Sequence, residues 1–190
     1  ACVFALASCS KKSESDNSLK ALLDRGEFVL GLDDSFPPLG FRNEKNEIVG
    51  YDIDLAKEVA SRLGVKFRAQ PINWDSKEQE LATGNIDCIW NGLTITAERQ
   101  NALSFTKPYL KNAQVVVVKK DSGIKSLADL SGKIIGLQAG SSAADAVDSD
   151  SGFKSSLKAI VEFKDNIMAL NDLEIGGVDG VVMDLIVANY

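Results

Sequence analysis

The sequence predicts an α/β fold with mainly parallel sheets, and three observations carry that expectation. Short apolar runs rich in β-branched residues alternate with stretches of helical period, the order that places helices on the faces of a parallel sheet. Helical stretches close on glycine at Gly26 and Gly64 before a strand resumes. A pattern L-x-x-G-x-[IV]-D also occurs twice: Leu81, Gly84, Ile86, Asp87 recurs as Leu173, Gly176, Val178, Asp179, 92 positions on. Helix–glycine–strand junctions are common enough in α/β chains to produce such a recurrence without kinship. With 190 residues and 45% hydrophobic content, the chain can bury the core of one large or two small domains.

Taken in order, Ala1 to Ala7 is apolar and gives way abruptly to a polar stretch. This reads as the tail of a secretion signal over 1–9 followed by a flexible linker over 10–18. Leu19 to Arg25 is a short helix, and Glu27 to Leu32 (EFVLGL) a strand that Asp33-Asp34-Ser35-Phe36-Pro37-Pro38 breaks into a loop. After a turn at Asn43 to Glu47, an apolar stripe of Leu55, Ala56, Val59, Ala60 and Leu63 marks a helix. Asp52 and Asp54 stand at its positive end as cap and dipole partner. Val65 to Ala69 is a strand, Asp75 to Ala82 a helix, and Ile86 to Ile89 a strand ending at the Asn91-Gly92 turn. A helix starts near Thr96. Ala113 to Lys120, nearly continuous in valine, reads as a strand buried on both faces. From Ser126 the alternation restarts: a helical turn at Leu127 to Leu130, a strand at Lys133 to Leu137, and a helix opened by Ser142. A strand at Ala159 to Phe163, a helix at Asp165 to Leu173 and a strand at Val178 to Met183 follow.

Composition removes several chemistries. Histidine is absent, which excludes Ser-His-Asp and Cys-His catalysis and histidine metal sites. A net charge of −6 argues against a nucleic-acid partner. Cys88 falls within a strand as a small apolar residue, and no phosphate-loop glycine pattern is present, so no cofactor or metal is expected.

The polar residues at strand ends suit a small zwitterion. Arg99 offers a planar fork for a carboxylate, beside the hydroxyl of Thr94. The equivalent strand of the second repeat ends in Asp184, the opposite charge. Gln138-Ala139-Gly140-Ser141-Ser142 opens a helix whose free N–H groups can seat a carboxylate, with Ser142 equally an ordinary N-cap. Asp33 and Phe36 lie where open α/β sheets bind ligands, at the carboxyl end of the first strand. Trp74 can stack on a side chain or cover the core.

Several stretches resemble bacterial extracellular solute-binding proteins of family 3, the substrate-binding proteins of polar amino-acid ABC transporters. They are GLDDSFPPLGF, GYDIDLAKEVASRLGV, GNIDCIWNGLTITAERQNALSFTKPY, ADLSGKIIGLQAGSS and GGVDGVVMD. The resemblance spans Glu27 to Tyr190. It implies the type II periplasmic-binding-protein (Venus flytrap) fold, with lobe 1 at 19–111 and lobe 2 at 112–190 joined by a hinge. It also implies that lobe 2 continues beyond Tyr190 and returns to complete lobe 1. Without that return, apolar surface on lobe 1 would invite pairing with a second copy.

By the same resemblance, Arg99, Thr94 and the backbone at Ser142 hold the ligand carboxylate. Asp184 takes the ammonium with the Gly92 carbonyl and Thr94, while Asp33, Phe36, Trp74 and Asn91 border the side chain. Ala143 stands where some relatives that bind basic amino acids carry a polar residue, so the side chain is not named beyond polar, basic ones included. Leu6-Ala7-Ser8-Cys9 resembles the bacterial lipobox, which implies lipidation at Cys9, a membrane tether outside the cytoplasm and delivery to a transporter permease. Two other functions remain in view: a secreted cyclohexadienyl dehydratase, for which Glu78 is the candidate acid, and the sensing module of a receptor.

Overall fold

The computed structural model describes residues 17–190; the expected signal remnant, Cys9 and most of the linker lie outside the described residues. In chain order the first half runs α1 (Ser18–Arg25), β1 (Glu27–Leu32), β2 (Ser35–Phe36), β3 (Gly40–Arg42), β4 (Ile48–Val49) and α2 (Tyr51–Leu63). It continues through β5 (Lys66–Pro71), α3 (Lys77–Ala82), β6 (Cys88–Ile89) and α4 (Ala97–Ala102). The second half runs β7 (Gln114–Val117), β8 (Ile134–Gln138), α5 (Ser142–Ser149), α6 (Ser151–Ser156) and β9 (Ala159–Phe163). It ends with α7 (Asn166–Ile175), β10 (Gly180–Asp184) and α8 (Leu185–Ala188).

Two main sheets result, one from each half. The first has the order β5-β1-β6, all parallel, with Glu27 opposite Lys66 and Leu30 opposite Cys88. The second has the order β7-β10-β8-β9. Within it β10, β8 and β9 are parallel and β7 is antiparallel to β10, so the sheet is mixed. β1 is buried and apolar from Phe28 onward because it is central, and α2 lays Ile53, Ala56 and Ala60 into its cluster with Phe28, Leu30 and Leu32. Phe36 and Leu39 belong to the first half but pack in the second half's cluster with Ala169, Leu173, Val181 and Met183. The two halves are thus joined by apolar contact as well as by the chain.

The repeated L-x-x-G-x-[IV]-D pattern has a local cause. Asp87 donates its N–H to Val29 O at 2.8 Å, and its carboxylate accepts the Val29 N–H at 2.7 Å. Asp179 does the same to Ile134, at 2.7 Å and 2.8 Å. Each aspartate therefore ties the approach to its own strand to the adjacent strand, β1 for Asp87 and β8 for Asp179, by a two-way brace that helps to fix the register.

Several expectations need correction. The valine run forms only Gln114–Val117, half-buried at a sheet edge, because valine favours strands without saying how many neighbours flank them. The loop after β1 contains β2, which pairs with β3 and β4 as a small antiparallel sheet. The expected helix from Asp75 is a 3-10 turn at Trp74–Ser76 followed by α3, and α6 is an additional helix. Strand β6 starts at Cys88, with Ile86 buried ahead of it. Burial pushes the Cys88 thiol up to about 12, which leaves it an inert apolar filler.

The brace makes a graded prediction. Asp87→Ala strands a part-buried N–H and should lower unfolding free energy by about 1–3 kcal/mol. Asp179→Ala should cost less, because its side chain is 38% exposed against 18% for Asp87, so water reaches the freed group. Urea denaturation of both variants checks the order.

Candidate functional site

Four parallel strands deliver polar residues from their carboxyl ends to the place where the halves meet. β1 is followed by Asp33, β6 by Asn91 and Gly92; β8 ends in Gln138 and β10 in Asp184. This is where open parallel sheets present side chains free of the ladder. The gap there is narrow, about 10 Å³, and is bordered by Phe36, Trp74, Asn91, Gly92, Thr94, Arg99, Gln138, Ser141, Ser142 and Asp184.

Arg99 is on α4, whose N-cap Thr96 accepts the Arg99 N–H at 3.2 Å. Its side chain is 10% exposed. Nη1 donates to Thr94 O and Nη2 to Gly140 O, both at 3.1 Å, leaving three of the five guanidinium N–H groups for another acceptor. Glu78 and Asp145 stand 4.0 and 3.9 Å off. At the opposite edge, Asp184 is buried and held by amides alone: Asn112 Nδ2 and Gln114 Nε2, the latter at 2.8 Å. Among the described residues no lysine or arginine forms an ion pair with it. Burial raises its pKa, with the two amides and the more distant Arg99 opposing.

The remaining residues bridge the halves. Ser142 Oγ donates to Thr94 Oγ1 at 3.0 Å and receives Gln114 Nε2 at 2.9 Å. Ser142 is not the cap of α5; Ser141 is, accepting the Ala143 N–H at 3.2 Å, which frees the Ser142 hydroxyl to face the cleft. Gly92 has φ 61°, and a Cβ there would meet Leu39 Cδ1 at 2.5 Å, so only glycine fits the turn. Its N–H donates at 2.8 Å to Asp52 Oδ2. Asp52 sits in the first turn of α2 but makes no capping bond; fully buried, it fixes Gly92 and accepts the Tyr109 hydroxyl at 2.8 Å. Burial raises the Asp52 pKa, with Tyr109 and Gly92 lowering it.

Of the sequence-predicted residues, Phe36, Trp74, Asn91, Gly92, Thr94, Arg99, Ser142 and Asp184 border the gap, while Asp33 lies behind it. The Asp33 carboxylate is already engaged by the Ser35 N–H at 2.9 Å, the Ser35 hydroxyl and Gln138 Nε2 at 2.7 Å. Its pKa is raised by burial against those bonds. Glu78 does not border the gap; it faces Lys77 at 3.2 Å. A larger cavity of about 600 Å³ lies beside β6, lined by Leu55, Leu81, Trp90, Phe105, Tyr109 and Ile186 among others. Its lining is mainly apolar, although Asp87, Lys107 and Lys111 contribute, and it includes neither Arg99 nor Asp184, so size does not locate the charged site.

Residues 28–171 match the bacterial extracellular solute-binding proteins, family 3. The chain belongs to that family. Its relatives include the arginine-binding extracellular protein ArtP of Bacillus subtilis, 34% identical over 74% of this chain and 53% of that protein. The L-cystine-binding protein TcyJ of Escherichia coli is 28% identical over 98% of this chain and 70% of that protein. The crystal structure of an ABC uptake transporter substrate-binding protein from Streptococcus pneumoniae with bound histidine superposes with a TM-score of 0.90 at 37% identity. That superposition covers 93% of this chain and 73% of the other. The chain thus has the α/β fold of these family 3 proteins and spans about half the length of the arginine-binding relative.

Gln138 and Ser141 border the cleft, although the sequence singled out only the N–H groups of their stretch and not their side chains, and Asn112, Gln114 and Asp52 hold its polar groups from behind. The QAGSS stretch was a signal for the first two. Nothing local distinguishes the other three.

Replacing Asp184 by Asn keeps the shape and removes a desolvated charge. Its folded pKa is raised, so the native carboxylate costs stability above that pKa and costs none below the unfolded value of about 3.9. Asp184→Asn should therefore melt at or above the wild-type temperature at neutral pH, with the difference vanishing on acidification. Thermal melts across pH check this.

Proposed function

We propose that this chain is the extracytoplasmic amino-acid-binding component of an ABC uptake transporter. It captures a polar amino acid between lobe 1 (19–111) and lobe 2 (112–190) and hands it to a membrane permease, tethered through lipid on Cys9. The observation that carries the reading is the placement of Arg99 and Asp184 on one narrow cleft, each from a different half. Arg99 has unengaged donors for an α-carboxylate, and Asp184 is a buried carboxylate lacking a cation, suited to an α-ammonium. Ser142, Thr94 and the Gly92 turn complete the polar frame; Phe36 and Trp74 supply flat apolar walls for the side chain.

Relatives named for binding arginine, cystine and histidine support an amino acid as ligand. A dehydratase also stands among the relatives. The enzymatic alternative draws no support from Glu78, which lies outside the gap beside Lys77. The mechanism is capture: the ligand's two charges bridge the cleft and draw the lobes together, with no bond made or broken.

A thermal-shift screen of the twenty amino acids should give stabilisation by at least one polar member, since binding to the folded state raises stability. Titration calorimetry of Arg99→Ala with that ligand should show affinity lower by about a hundredfold or more. No response to any amino acid, or turnover of prephenate or arogenate, would remove the proposal.

A further inference from the structure

Lys77 opens α3 in the first half, yet its side chain is only 3% exposed and its ammonium reaches the second half. Nζ donates to Gly140 O at 2.8 Å, on the same carbonyl that receives Arg99 Nη2 at 3.1 Å. The ammonium also lies 5.3 Å over the Trp74 ring and 3.2 Å from Glu78 Oε1. Gly140 has φ 65°, and a Cβ there would stand 2.9 Å from both Cα and Oδ1 of Asp75 and 3.5 Å from Lys77 Nζ. The turn before α5 therefore seats against the start of α3 with no room for a side chain.

We infer that Lys77 is a latch between the halves, a positioning residue that favours lobe closure through Gly140 without touching the ligand. A lysine buried against its own half alone would gain nothing from Gly140; this one exchanges hydration for a charge-assisted bond that exists only when the halves meet. Glu78 and the Trp74 face, both from lobe 1, stay beside the ammonium in either arrangement and keep it aimed. Burial lowers the Lys77 pKa, with Glu78 opposing and Arg99 adding to the lowering. Contacts of this kind raise the population of the binding-competent arrangement, and apparent affinity follows that population. The role of closure in capture rests on the proposed function, but the closed fraction itself is measurable with no ligand present.

The test is single-pair fluorescence transfer between dyes on α2 and α7 of the full chain, ligand-free, for wild type, Lys77→Met and Gly140→Ala. Methionine keeps the apolar stem on Trp74 and removes the donor. Lys77→Met should lower the ratio of closed to open molecules at least fivefold. It should weaken ligand binding by a similar factor through faster dissociation, with association unchanged. Gly140→Ala should also lower closure, by steric conflict with Asp75. A Lys77→Met protein that melts as wild type does and closes as often, or more often, overturns the latch. So does a pair in which only Gly140→Ala opens the cleft, which would leave shape alone as the cause. A chain that binds no amino acid but loses closure in Lys77→Met refutes the transport reading and leaves the latch standing.

Discussion

Asp184 sets the terms for the rest of the site. A carboxylate taken out of water at the end of a core strand is costly unless its charge is met, and two amide donors meet it only in part. Asn112 and Gln114 orient the group without neutralising it, so the deficit is left facing the cleft. Arg99 carries the complementary surplus from the other half, tied to two carbonyls rather than to a carboxylate in contact. Arg99 eases the Asp184 charge only weakly, as the last of the influences that oppose its burial. Buried groups held in this way are preorganised: their orienting bonds are already formed, so little rearrangement remains when an external charge arrives.

Such charges are useful only if the strands that carry them stay in register, and the twin aspartate braces serve that end. Asp87 and Asp179 each lock the strand that leads to a cleft residue, β6 to Asn91 and Gly92, β10 to Asp184. The same local device thus positions two chemically opposite termini. Asp52 extends the idea one residue further by holding the Gly92 turn from a helix forty positions away. Apolar contact supplies the remaining alignment, since Phe36 and Leu39 sit among the second half's core residues.

The sequence made the sheet strands and most of the cleft border legible because strand ends, hydroxyls and an arginine at a helix start are local signals. The L-x-x-G-x-[IV]-D recurrence also marked β6 and β10, the two strands that its aspartates brace. What stayed hidden depends on distance along the chain. Lys77 looks like any helix lysine until its ammonium meets Gly140, 63 positions on. Asn112 and Gln114 are ordinary polar residues until β7 folds against β10. The two- and three-residue strands of the small sheet are too short to show a period. Ser141 and Ser142 compete for the same cap in sequence, and only the backbone angle at Ser141 separates them.

Trp74 has a consequence beyond packing. The chain has two tryptophans, and they occupy unlike surroundings: Trp74 borders the cleft beneath an ammonium, whereas Trp90 donates to the Tyr109 hydroxyl beside the large apolar cavity. An indole's emission colour follows the electric field across its ring. Any separation of the halves that withdraws Gly140 and admits water would retune the first fluorophore while leaving the second as an internal standard. Emission from Trp74 would then report on the cleft itself.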